Sequence, residues 1–169
     1  MEHAVEHVQQ TESVIDGIAG KHLTFKLAGE NYGLEILKVQ EIIGLMKITT
    51  MPKTPAYVKG VINLRGKVVP VIDLRIKFGL EETEHTEKTV IIVLQVESND
   101  SAVIVGLLVD EVKEVVNIAF DMLQEPPKLT TNGEGAFISA MAKIDQKVVM
   151  LLDVGEILIA TDLRFMTKK

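Results

Sequence analysis

The feature that most constrains this chain is an internal repeat. YGLEILKVQEII (residues 32–43) aligns without gaps on VGLLVDEVKEVV (105–116), matching Gly33 with Gly106, Leu34 with Leu107, Val39 with Val112 and Glu41 with Glu114. KVVPVIDL (67–74) aligns likewise on KVVMLLDV (147–154), matching the Lys, both Val and the Asp. One such match is within reach of chance, but two in the same order mark a duplicated unit. Each copy reads as hairpin, bent segment, short strand, hairpin, helix. Five short strands per copy suit a small closed barrel, which removes exposed sheet edges. The expected fold is therefore mostly β: two small five-stranded β-barrels, with a short helix after each barrel's last hairpin.

Local signals give the same order. Met1–Gly20 mixes acids, His and scattered apolar residues and reads as a flexible arm. Leu23, Phe25 and Leu27 alternate with polar residues, and Ala28-Gly29-Glu30-Asn31 turns the chain into Tyr32–Ile36, a hairpin. Val39–Ile43 reads as a short helical or bent segment with Val39, Ile42 and Ile43 on one face and Glu41 opposite. Ile48–Thr50 reads as a short strand between that segment and a loop bracketed by Pro52 and Pro55.

The two β-branched runs of GVINLRGKVVPVIDL then meet at Arg65-Gly66 in a second hairpin. Arg is unfavourable at positive φ, so a turn with Gly66 alone in the left-handed region is expected rather than type I′. Pro70 has no N–H to donate, which predicts an edge strand or a bulge there. Asp73 stands where strand becomes helix and can cap it. Glu81–Lys88 is a polar connector dividing lobe one (about 21–85) from lobe two (about 86–163), with strand exchange between the lobes left open. Thr89–Val96 and Ala102–Val109 form a hairpin around Glu97–Ser101, Val112–Val116 a second bent segment, and Phe137–Ile144 with Lys147–Leu152 the last hairpin. A helix over Asp153–Ala160 follows, where Asp153 and Glu156 have capping-box spacing, and residues 164–169 form a tail.

Composition narrows function by exclusion. With 47% hydrophobic and 25% charged residues the 169-residue chain reads as an ordinary globular one, able to bury roughly 70% of its unfolded surface. A net charge of -6 argues against nonspecific nucleic-acid binding, which needs a basic face. The absence of Cys excludes disulfides and thiolate metal sites. No secretory signal and no apolar run near the roughly 20 residues of a membrane span are present, so a cytoplasmic location is expected, without membrane insertion.

Catalytic signals are weak. None of His3, His7, His22 and His85 has a partner at metal-ligand spacing on a predicted element; only a helical arm would bring His3 and His7 together. GVINLRGKV departs from a phosphate loop: five residues separate its glycines, Val68 stands where Ser or Thr is required, and a strand follows instead of a helix. Asp73 and Asp153 occupy equivalent helix starts in different copies, which favours capping over paired-carboxylate catalysis. No Gly-x-Ser-x-Gly elbow occurs. No enzyme, cofactor or metal is expected. An enzyme using one of these carboxylates is the competing reading. Surface binding remains, with Glu41 and Arg65 as exposed charges and Val39, Ile42 and Ile43 as either core or contact residues.

GVINLRGKVVPVIDLRIKFG and YGLEILKVQEI closely resemble the two signature motifs of the CheW family of bacterial chemotaxis adaptors, and the similarity runs from Leu23 to about Leu158. The resemblance implies two Src-homology-like barrels packed side by side. It also implies a noncatalytic adaptor between methyl-accepting chemoreceptors and the CheA histidine kinase. The receptor's cytoplasmic tip would lie in a groove between the lobes, and the kinase's regulatory domain would dock on barrel ends. The positions matching the family's receptor-contacting region are Val39, Glu41 and Arg65, to which Ile42 is added as an apolar neighbour. A CheW-like module of a larger protein is the alternative within the family; the chain's own Met1 and the lack of kinase or receiver motifs favour a free-standing adaptor.

Overall fold

The computed structural model describes residues 17–98, 101–126 and 137–159. The expectations for the arm, for Asn99 in the Glu97–Ser101 turn and for the tail fall outside those residues wholly or in large part. The chain enters on β1 (Gly20–Leu27), returns on β2 (Glu30–Glu35), and passes through a 3-10 turn (Ile36–Lys38) into β3 (Val39–Gly44). The helical or bent reading of Val39–Ile43 is thus corrected to a strand. Antiparallel pairing with β6 (Val90–Ser98) decides the conformation, overriding the apolar spacing. The second bent segment is corrected in the same way: it lies in β8 (Glu111–Ile118), paired to β1. Ile48–Thr50 contributes only one bridge, Thr49 to Val61.

β4 (Val58–Leu64) and β5 (Lys67–Asp73) form the signature hairpin. Both turn residues lie at positive φ, Arg65 at 52° and Gly66 at 86°, so the turn is type I′ and the expectation of Gly66 alone is wrong. The Leu64–Lys67 pairing leaves a two-residue loop, and only a primed turn matches the right-handed strand twist. Asn63 Oδ1 supports it by accepting the Gly66 N–H at 2.9 Å. The corresponding turn between β10 (Ile138–Ile144) and β11 (Lys147–Leu152) puts Asp145 and Gln146 at 48° and 69° without any glycine. Strand twist outweighs residue preference in both copies.

Pro70 needs neither the edge strand nor the local bulge expected of it. Its strand lies inside a sheet, between β4 and β7 (Ser101–Val109). Opposite it, Val61 directs its own N–H and C=O outward to Thr49, at 2.9 and 2.8 Å, so this pair exchanges no ladder bonds. The parallel ladder with β7 begins one residue later, at Val71.

The strands form two sheets, in the orders β8-β1-β2-β11-β10-β9 and β3-β6-β7-β5-β4, where β9 is the two-residue Leu123–Gln124. Neither sheet is a contiguous stretch of chain. The β1–β2 hairpin joins the six-stranded sheet with β8–β11, and the β6–β7 hairpin joins the five-stranded sheet with β3–β5. Corresponding parallel pairs make the joins: Val71 opposite Gly106 in one sheet, Leu151 opposite Gly33 in the other. Among the described residues, neither sheet shows hydrogen-bonded closure into a five-stranded barrel. At their ends β9 adds only two pairs to β10, and Thr49 only an isolated bridge to Val61.

Among the described residues, interleaving creates three cores. A central one lies between the sheets and unites Leu23, Phe25 and Leu34 of one with Ile92, Leu94 and Leu107 of the other. Ile62, Val71, Ile91 and Val93 fill the far side of the five-stranded sheet, and Ile118, Ala142, Val149 and Leu151 that of the six-stranded one. β6 is buried on both faces, which explains its unbroken apolar run.

Each copy ends in a short helix, α1 (Leu74–Lys77) or α2 (Val154–Ile159). Asp73 Oδ1 accepts the N–H groups of Arg75 at 2.9 Å and Ile76 at 3.4 Å, the predicted cap. Asp153 Oδ1 accepts from Glu156 N at 3.1 Å, but the Asp153 N–H goes to Phe137 O at 2.7 Å, so the capping box is only half formed. Asp73 does the same with Tyr57 O, at 2.8 Å.

Candidate functional site

The candidate residues gather where β3 leaves the crossover turn. Val39 pairs with Leu94, Glu41 with Val93, Ile42 with Ile92 and Ile43 with Ile91, with a bulge at Gln40. The extra residue resets the alternation. Val39 and Ile42 therefore share the central-core side of the sheet, as expected, whereas Ile43 packs on the opposite side against the far core. Glu41 faces that opposite side too. Val39 is half-buried against the central core, while Ile42 is 43% exposed, with exposed Leu45 and Met46 just beyond it.

Arg65 comes from the turn at the far margin of the same sheet, yet its guanidinium grips Glu41 in a bidentate pair. Nη1 donates to Oε1 at 3.1 Å and Nη2 donates to Oε2. The five-stranded sheet thus curls until its two margins meet at one ion pair. The hydrogen bonds from Arg65 hold the Glu41 carboxyl below its ordinary value, and Glu41 raises the guanidinium further. Planar fork-to-carboxylate pairing fixes both orientations even in solvent. Of the four candidate residues, the structure brings Glu41 and Arg65 into contact and puts Val39 and Ile42 on the other face of the strand.

Sequence reasoning missed two features. Leu37, on the crossover turn, is 95% exposed. Its counterpart in the repeat is Asp110, which accepts Arg75 Nε at 2.8 Å, Arg75 Nη2 at 2.6 Å and the Ala28 N–H at 2.8 Å. Arg75 also donates to Glu81 O at 2.8 Å. Burial pushes Asp110 up, but these donors outweigh it and leave its carboxyl below the ordinary range. The gapless alignment set Leu37 against Asp110, a signal of divergence between copies that matching positions alone conceal. His22 is buried with Nδ1 3.0 Å from Gly20 O. A lone strand-start His carries no signal of burial on that face.

Comparison with known proteins agrees with the motifs. A family model described as the CheW-like domain matches residues 21–161. The chemotaxis protein CheW of Klebsiella aerogenes is 35% identical over 141 residues, covering 83% of this chain and 82% of its own length. That of Rhizobium meliloti is 35% identical over 147 residues, covering 82% and 92%. The crystal structure of the scaffolding protein TtCheW from Thermoanaerobacter tengcongensis superposes with a TM-score of 0.71 at 36% identity, covering 80% of this chain and 89% of that one. Duplicated motifs, two interleaved sheets and this breadth of similarity place the chain in the CheW-like family of chemotaxis proteins.

Proposed function

We propose that this protein is a noncatalytic, cytoplasmic chemotaxis adaptor that couples chemoreceptors to a CheA-type histidine kinase. The observation that carries the receptor half of the reading is the Glu41–Arg65 pair, presented in solvent on the strand whose other face carries Ile42. An amphipathic helix recognised through a groove needs apolar contact and a charged margin that sets register. Val39 and Ile42 supply the first; Glu41 and Arg65 supply the second. The noncatalytic part is supported by Asp73 and Asp153, whose carboxylates are engaged as helix caps. No helix among the described residues is long and apolar enough to cross a membrane. The same reading takes the two sheets, curled into Src-homology-like barrels with exchanged hairpins, as the two lobes. It assigns the kinase's regulatory domain to barrel ends.

The test is affinity for a receptor cytoplasmic fragment. Glu41→Lys sets two cations side by side and is expected to weaken binding about tenfold or more, roughly 1.4 kcal/mol. Its melting temperature should barely change, because the pair is solvent-exposed. Arg65→Glu should behave alike, yet bind the isolated kinase regulatory domain within about threefold of wild type. Wild-type receptor affinity in both variants would remove Glu41 and Arg65 from the interface.

A further inference from the structure

The chain has two Tyr and five Phe, and among the described residues five of these seven gather along one boundary between the sheets. Phe25 of β1 stacks on Tyr32 of β2, with ring centroids 5.8 Å apart and planes at 20°. Phe78, just after α1, follows Tyr32 at 5.8 Å and 35°, and Phe137 follows Phe78 at 5.8 Å and 23°. Phe78 is carried by the helix that ends β5 of the five-stranded sheet, whereas the rings on either side of it come from the six-stranded one. Tyr57 is the fifth ring and the counterpart of Phe137 in the repeat. Each accepts, through its carbonyl, the N–H of the Asp that begins a helix: Tyr57 from Asp73 at 2.8 Å, Phe137 from Asp153 at 2.7 Å. Lys77, the last residue of α1, reaches both. Its Nζ lies 4.0 Å from the Tyr57 ring centroid and 5.5 Å from that of Phe137.

We infer that Lys77 is a positioning residue: it clamps the equivalent rings of the two copies and so fixes the offset between the two sheets, on which coupling between a partner on one and a partner on the other depends. The central core brings the sheets together, but apolar burial is non-directional and does not by itself select one offset. Stacked rings and a cation held over ring faces are directional, because the charge distribution of the ring favours particular approaches. The repeat shows that a cation at this place is not a requirement of the helix. Carried through it, Lys77 becomes Ile157 and Phe78 becomes Leu158, and both of those pack in the central core. One copy therefore ends in an apolar plug and the other in a cation that spans the boundary. The clamp rests on this geometry alone; its consequence for coupling rests on the adaptor reading above.

The experiment uses the full chain with Lys77→Met, which keeps the apolar stem, Lys77→Arg, which keeps the cation, or Tyr57→Leu, which removes one ring. The chain has no Cys, so Val68→Cys and Val148→Cys, exposed counterparts on the two sheets, can carry spin labels for a pulsed electron-resonance distance measurement. Lys77→Met and Tyr57→Leu are expected to broaden the wild-type distance distribution, and Lys77→Arg to preserve it. In the unlabelled chain, Lys77→Met should bind a receptor fragment and the isolated kinase regulatory domain within about twofold of wild type. The receptor fragment's effect on kinase autophosphorylation should nevertheless fall about fivefold or more, and return with Lys77→Arg. An unchanged distance distribution in either Lys77→Met or Tyr57→Leu overturns the clamp. Broadened distances with undiminished receptor control of the kinase overturn its role in coupling. If the wild-type chain itself transmits nothing from receptor fragment to kinase, the adaptor reading fails, while the label distances still judge the clamp.

Discussion

The two copies of the repeat share a backbone and disagree in chemistry. Strand pairings correspond residue by residue: Ile42 faces Ile92 as Val115 faces Leu23, and Val71 faces Gly106 as Leu151 faces Gly33. Irregularities correspond too, with register shifts at Val58/Gly60 and at Ile138/Ala140. Yet the Arg75–Asp110 pair faces Gly155 and Leu37 across the repeat, and the Glu41–Arg65 pair faces Glu114 and Asp145, two acids. Register is held by ladders and buried faces, where a one-residue slip would turn every side chain over. Charge pairs outside those ladders and faces do not set the register, so the two copies are free to differ in them.

The sharpest break in the comparison should come from Gly60 and its counterpart Ala140. Gly60 has φ 142°, and a Cβ there would lie 2.1 Å from Thr49 O, a backbone atom that cannot step aside. Gly60→Ala combines strain in a Gly-only region with overpacking and should cost more than about 3 kcal/mol. Ala140 is buried in the equivalent strand, and Ala140→Gly should cost only about 1 kcal/mol. Urea-unfolding midpoints measure both. Equal losses would mean that the Thr49 bridge has no special role in the first copy.

That asymmetry also shows what a sequence can and cannot carry. Hairpins, caps and the duplicated order were legible because each is written within a few adjacent residues, as Asn63–Lys67 and Asp73–Ile76 show. The interleaving was not, because the pairing of Val71 with Gly106 joins strands 35 positions apart without a local signal. The bulge at Gln40 hid the strand character of β3, since it places Val39 and Ile42 on one face, a spacing that also fits a helix. Arg65 lies at positive φ against its local preference, because the twist of the whole hairpin outweighs that preference. The pairing of Glu41 with Arg65 has no local signal either: they stand 24 positions apart, and only the curl of the sheet joins them.

The next effect is smaller and depends on pH. Arg75 and Asp110 are mostly shielded from solvent, and Arg75→Ala should cost about 1–2 kcal/mol at neutral pH. Because folding lowers the Asp110 pKa, its contribution is present above the unfolded value near 4 and is lost as pH falls through the folded one. Arg75→Ala should therefore flatten the acid limb of the stability curve. Asp73 has the opposite sign. Burial raises its pKa despite the two capping bonds, so its stabilising share is full below about 4 and declines as pH rises through the folded value. Asp73→Asn keeps a capping acceptor without the buried charge and should be at least as stable as wild type at neutral pH, whereas Asp73→Ala should lose about 1 kcal/mol. Thermal melts across pH 3–8 separate the cases, and a steeper acid limb in Arg75→Ala would reverse the assignment of Asp110.

The smallest effect should come from making the second copy imitate the first. Asp145 occupies the turn position of Arg65, and Glu114 that of Glu41, so Asp145→Arg offers the six-stranded sheet an ion pair across its own curl. The backbone accepts the change, since Arg65 sits at φ 52° and Asp145 at 48°. Two terms then oppose each other. An exposed pair contributes about 0.2–1 kcal/mol, and exchanging Asp for Arg at a left-handed position gives part of that back, because short polar side chains tolerate it better. The expected net change is within about 0.5 kcal/mol of zero. A double-mutant cycle with Glu114→Gln isolates the pair from the turn. A coupling near 0.5 kcal/mol would show that both sheets curl alike and differ only in the charges at the seam. No coupling would show that the six-stranded sheet holds its margins further apart, and that Glu41–Arg65 belongs to the geometry of one copy alone.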